Sequence, residues 1–168
     1  MKKVVKFGGS SLASAEQFKK VGDIIRADKS RRYVVPSAPG KRSSSDTKVT
    51  DMLYSCYNLA IREKKFTSLL DEIHARYNEI IDGLNLELSL DHEFDMIREN
   101  FGKKIGRDYA ASRGEYLNGI IMANYLGFCF IDAAEVIRFH EDGSLDDEKT
   151  NELLSLRLEG EEFAVIPG

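Results

Sequence analysis

Val4-Val5-Lys6-Phe7-Gly8-Gly9-Ser10-Ser11-Leu12-Ala13-Ser14 opens the chain with a β-branched run that breaks at a pair of glycines, and the parsing of this stretch decides the fold. Residues 4–7 read as a short strand, since β-branched and aromatic side chains fit a pleated, half-buried surface. In the segment that follows, SAEQFKKVGDIIRAD (residues 14–28), Phe18, Val21, Ile24 and Ile25 fall on one helical face and Ser14 is placed to cap the first turn. RRYVVPSAPG (residues 31–40) is a second strand running into a turn rich in proline and glycine. Strand, helix, strand in that order opens a parallel sheet.

The middle of the chain reads as helical. Met52, Leu53, Cys56, Leu59 and Ala60 recur at spacings of three and four between about Val49 and Lys64. Further amphipathic segments cover about Phe66 to Asp82, Leu90 to Phe101 and Asp108 to Leu126, with Gly83, Gly102 and Gly127 as stops. FCFID (residues 128–132) is a third strand, residues 143–159 hold a helix on Leu153, Leu154 and Leu156, and EEFAVIPG (residues 161–168) is a fourth strand. The expectation is β-α-β, a helical insertion, then β-α-β in one α/β domain.

Composition narrows the function classes. The chain has 168 residues, 31% charged and 42% hydrophobic, within the range of a folded globular protein. A net charge of −4 with no basic run argues against a nucleic-acid surface. The start MKKVVKFGG lacks the apolar core of a signal peptide and no apolar stretch is long enough to span a bilayer, which predicts a cytoplasmic protein without membrane contact. Cys56 and Cys129 sit in apolar contexts and are expected to be buried thiols. His74, His92 and His140 show no ligand spacing, so surface or capping roles are expected and no metal site is assigned.

Three constellations carry chemistry. Lys6 with Gly8, Gly9 and Ser10 lies at the carboxyl end of the first strand, where open α/β sheets bind ligands; glycines admit a phosphate to backbone N–H groups and the ammonium supplies charge. An ordinary strand-to-helix turn with a solvent-facing lysine reads equally well from these residues. Ser37-Ala38-Pro39-Gly40-Lys41-Arg42 ends the second strand and leads through a serine-rich stretch to a helix whose cap or first turn holds Thr47, Thr50 and Asp51, the alternative being a flexible loop with solvated Lys41 and Arg42. Ser112-Arg113-Gly114-Glu115 places a carboxylate beside a glycine inside a helix, where glycine is costly and often marks close approach by another element; a solvated glutamate is the bland alternative.

In that order, VVKFGGSSLAS, the VVPSAPGKR and KVTDMLY blocks, and SRGEYLNGIIMANYLG resemble the N-terminal part of the aspartokinase branch of the amino-acid kinase family. The resemblance implies a three-layer α/β/α fold around an eight-stranded, mostly parallel sheet. It also implies transfer of the ATP γ-phosphoryl group, with Mg2+, to the side-chain carboxylate of L-aspartate, the first step toward lysine, threonine and methionine. By resemblance Lys6 stabilises the transferring phosphoryl group, Gly8, Gly9 and Ser10 form the phosphate turn, Ser37 and Thr50 belong to the aspartate site, and Glu115 holds the substrate ammonium. The family's GRGGSD-like block, nucleotide-binding segment and regulatory ACT domains, through which a homo-oligomer would form, have no counterpart in residues 1–168. The chain is therefore expected to be the amino-acid-binding piece of a longer enzyme and inactive alone. A noncatalytic binding module for an amino acid or anion, and another amino-acid kinase such as one acting on glutamate, are the alternatives.

Overall fold

In the computed structural model, which describes Met1–Gly168, the alternation of KVVKF puts Val5 and Phe7 on one side of β1 (Lys3–Phe7) and Val4 and Lys6 on the other. The first side packs into the main core; Val4 stays 68% exposed. A single 3-10 turn (Gly9–Leu12) leads to α1 (Ala15–Arg26), where the Ser14 hydroxyl accepts the Gln17 N–H as expected of an N-cap. Phe18, Val21 and Ile25 are buried on α1, but Ile24 is 49% exposed. A 3.6-residue period places two consecutive isoleucines about 100° apart, so only one of the pair can face the sheet.

β2 (Arg31–Pro36) pairs in parallel with β1, Val5 opposite Val34 and Lys6 opposite Val35. Four helices follow: α2 (Val49–Ile61), α3 (Thr67–Gly83), α4 (Asp91–Gly102) and α5 (Arg107–Leu126). They bury Leu53, Leu70, Tyr77, Phe94, Phe101 and Leu117 in one continuous cluster with α1 and the sheet. Gly127 ends α5 in the left-handed conformation at φ 71°. Gly83 and Gly102 end α3 and α4 without positive φ; Asn85 and Lys104 take the left-handed positions instead.

β3 (Cys129–Phe130) and β4 (Ala164–Val165) are cores of two residues where longer strands were expected, and α6 (Ala133–Val136), absent from the sequence reading, precedes α7 (Asp147–Arg157). All strands are parallel in the order β1-β2-β4-β3. The first two crossovers advance across the sheet and the third steps back. Since crossovers are right-handed, the third must lie on the opposite face. Accordingly Val34 and Val165 face the cluster of α1 and α5, whereas Tyr33, Ala164 and Ile131 pack with Leu153 and Leu154 of α7. Leu156 is 60% exposed and takes no part. The result is three layers, α/β/α, with four of the eight strands that the resemblance implied.

Two expectations on single residues are corrected. Cys56 is buried, and desolvation pushes its thiol up to about 12, whereas Cys129 is only half-buried beside the Arg157 guanidinium at 3.7 Å. His74 is half-buried rather than free at the surface: its ring stacks on Phe94 with centroids 4.1 Å apart, and Asp91 lies 3.3 Å away. No helix is long and apolar enough to cross a membrane.

Candidate active site

Parallel pairing brings the carboxyl ends of β1 and β2 together, and the loops leaving them interlock. The Ser37 N–H donates to the Phe7 carbonyl at 3.0 Å and the Gly40 N–H to the Gly9 carbonyl at 2.7 Å. A Cβ on Gly9 would lie 2.7 Å from the Ala38 oxygen, and one on Gly40 2.5 Å from the Gly9 carbonyl carbon. Both glycines are therefore demanded by backbone packed on backbone. Gly8 differs: a Cβ there would meet nothing within 4 Å and its φ is −77°, so the fold itself does not require glycine.

The third wall comes from α5. Gly114 faces the Ala38 methyl so closely that a Cβ on it would lie 2.7 Å from that carbon, which accounts for a glycine inside a helix. The buried Tyr77 hydroxyl donates to the Gly114 carbonyl at 2.8 Å, and the Asn118 amide donates to the Ser37 carbonyl at 2.7 Å. These contacts aim the intervening Glu115 at the strand ends. The Val49 N–H donates to the Pro39 carbonyl at 3.2 Å, which sets the first turn of α2 and brings Thr50 to the same place.

The open cleft between these walls has a volume of about 490 Å³. Gly9, Ser10, Ser37, Thr50 and Glu115 line it, five of the seven residues singled out in the sequence, together with Ala38, Pro39, Gly40, Lys41 and Lys48. Lys6 and Gly8 are exposed at the end of β1 and do not line it, but the charge of Lys6 reaches Glu115. Burial pushes the Glu115 carboxyl above the usual carboxylate range, opposed by its own backbone amide, the Ala38 amide and Lys6. One half-buried carboxylate, three hydroxyl side chains and a rim of lysines suit a small zwitterion carrying additional negative charge.

Sequence reasoning passed over three contributors. Gly40 was readable as part of a turn but not as the partner of Gly9. Asn118 and Arg76 lie on helical faces that periodicity assigns to apolar side chains, and both are buried. Lys41 is solvent-exposed as expected, yet it forms part of the rim; Arg42 pairs with Asp46 at 3.0 Å and Glu79 at 2.9 Å. Glu115 is the only carboxylate in the cleft, and the chain gathers no set of three His, Cys, Asp or Glu side chains that would hold an ion. The residues present thus do not make a magnesium site of their own.

Parallel strand ends, a glycine-rich turn and a helix carboxylate meet at this one cleft, and the chain belongs to the amino acid kinase family, whose sequence profile matches residues 1–168. Within that family its similarity is to aspartokinases. It is 46% identical to Aspartokinase 3 of Bacillus subtilis (strain 168) over 88 residues, 52% of this chain and 19% of the relative. To Aspartokinase 1, chloroplastic, of Arabidopsis thaliana it is 31% identical over 158 residues, 88% of this chain and 27% of the relative. The crystal structure of Clostridium acetobutylicum aspartate kinase superposes with a TM-score of 0.95 at 46% identity, covering 100% of this chain and 39% of that one. E. coli aspartokinase III in complex with aspartate and ADP shares the fold, with a TM-score of 0.74 at 20% identity over 100% of this chain and 40% of that one. The chain spans about two fifths of the length of these solved relatives and less than a third of the curated ones.

Proposed function

We propose that these residues form the amino-acid side and phosphate turn of an aspartate kinase, which transfers the γ-phosphoryl group of ATP to the side-chain carboxylate of L-aspartate. The observation that carries the reading is the placement of Glu115: a half-buried carboxylate set between the Ser37 and Thr50 walls. Desolvation disfavours the charged carboxylate there despite the two backbone amides and Lys6, and a ligand ammonium relieves the cost. The Ser37 and Thr50 hydroxyls hold the amino acid at the end of β2. Gly8, free of any packing demand for glycine, lets phosphate oxygens approach backbone N–H groups. Lys6 neutralises charge on the transferring group.

In this scheme a side-chain oxygen of aspartate attacks the γ-phosphorus, the bond to the bridging oxygen of ADP breaks, and ADP leaves, giving 4-phospho-L-aspartate without a covalent enzyme intermediate. Positioning and charge stabilisation supply the catalysis. Magnesium enters with the nucleotide. Residues outside this chain complete the nucleotide side and the oligomer, so the chain alone is inactive in the same reading. The test is a chimera in which residues 1–168 are joined to the remaining part of the Clostridium acetobutylicum enzyme. Trapping the acyl phosphate with hydroxylamine should give aspartate-dependent, ATP-dependent hydroxamate from the chimera and none from the chain alone. A folded chimera that prefers glutamate, or that turns over neither amino acid, defeats the proposal.

A further inference from the structure

Arg76, in the middle of α3, is only 3% exposed. A buried guanidinium is costly unless its protons find acceptors; Nε finds none, and apart from the Met52 sulfur of α2 at 4.0 Å the acceptors of the two terminal nitrogens all belong to the loop between β2 and α2. Nη1 donates to the Thr47 carbonyl at 2.6 Å; Nη2 donates to the Gly40 carbonyl and lies 3.1 Å from the Asp46 carboxylate. Asp46, also gripped by Arg42, is held well below the usual carboxylate range, so the pair stays charged.

The two carbonyls bracket the loop. Lys41 directly follows Gly40 and Lys48 directly follows Thr47, and both lysines line the cleft while Arg76 does not. Between the brackets, Lys41 to Ser45 are exposed and contribute no packing of their own. The Gly40 N–H bonds Gly9, so the chain of contacts runs from Arg76 through the Gly40 peptide to the phosphate turn. A planar fork reaching two carbonyls at once fixes direction as well as distance, which the single ammonium of a lysine does not.

We propose that Arg76 is a positioning residue that pins the 40–48 loop from beneath as a preformed wall of the cleft. Its consequence for amino-acid recognition rests on the aspartate kinase reading: the site is ready before the substrate arrives because a side chain that never touches the substrate holds its rim.

Arg76→Met in residues 1–168 should speed hydrogen exchange of the amides in 41–48 at least tenfold, while amides in α5 and β1 keep their protection. In the chimera the same variant should raise the aspartate KM about tenfold, with the ATP KM unchanged and kcat within about threefold of the parent value. If Arg76→Met does not fold, Asp46→Asn on the solvent side of the pin should produce the same pattern to a smaller extent. Unchanged exchange in 41–48 overturns the pin, as does faster exchange with an unmoved aspartate KM, or a loss spread equally over both substrates. A parent chimera inactive toward aspartate would remove the functional reading, and the exchange data would still decide the pin.

Discussion

Gly40 donates its backbone N–H to the Gly9 carbonyl at 2.7 Å, joining two loops that leave neighbouring strands. With no side chain between them, the glycine turn after β1 and the loop after β2 behave as one rigid lip, and a change in either is felt in both.

Gly40→Ala should therefore destabilise the chain. The added methyl meets backbone atoms of Gly9 and Ser10 at 2.5 to 2.8 Å, none of which can swing aside. Overpacking of this kind costs about 1–3 kcal/mol, and in a chain of this size each kcal/mol lowers Tm by about 2–4 °C. Gly8→Ala, with open space around its Cβ, should leave stability within the roughly ±0.5 kcal/mol of a neutral surface change, about 1–2 °C in Tm. Thermal melts of the two variants side by side check the contrast.

Lys6→Ala should leave stability unchanged, because the side chain is exposed, and should lower kcat of the chimera by about 10²–10³, the usual loss when one preorganised charge is removed from a transition state. The aspartate KM should move less. Steady-state kinetics showing that most of kcat survives would remove Lys6 from the reaction.

Glu115→Gln separates function from stability. Exchanging a charge-assisted for a neutral hydrogen bond, about 1–2 kcal/mol, should raise the aspartate KM of the chimera roughly five- to thirty-fold. The apo chain should respond in the opposite sense. Burial raises the Glu115 pKa in the folded state, so folding favours the protonated acid. That contribution is present below the unfolded pKa and is lost as pH rises through the folded pKa. A glutamine amide at this position does not titrate and suffers no such loss. The variant should be the more stable chain at neutral pH, and the advantage should vanish below about pH 4, near the ordinary glutamate value. Denaturant titrations at the two pH values provide the check.

Thiol labelling should be selective. Cys56 is fully buried with its thiol raised to about 12, whereas Cys129 is partly accessible. Under native conditions an alkylating reagent at pH 8 should modify Cys129 first and Cys56 only on unfolding. Mass spectrometry of peptides from briefly labelled protein reads the order directly; equal labelling would mean that the helical cluster around Cys56 opens readily.

The sequence disclosed elements and cleft-lining loops better than it disclosed their mutual grip. Phe18, Val21 and Leu53 announced their faces because period 3.6 follows from backbone geometry alone. The glycine turn, Ser37, Thr50 and Glu115 were legible through residue chemistry at strand and helix ends. Ile24 was misplaced because two adjacent apolar residues satisfy the same pattern and only the neighbouring sheet chooses between them. β3 and β4 contracted because their pairing is decided by the partner strand. Arg76 was invisible for a stronger reason: an arginine written into an amphipathic helix looks solvated until the loop that needs its protons is folded against it.

The strand order also has a temporal meaning. β2 finds its second neighbour, β4, only about 130 residues further along, with Tyr33 opposite Ala164 and Val34 opposite Val165. Pairings so distant in sequence close large loops and are slow, whereas contacts among consecutive helices are local and fast. The α2–α5 bundle can therefore gather early around its own apolar faces while β1 and β2 wait with one flank of the sheet bare. The lip of the cleft, strung between β2 and that bundle, acquires its final rigidity only when β4 slots in beside β2.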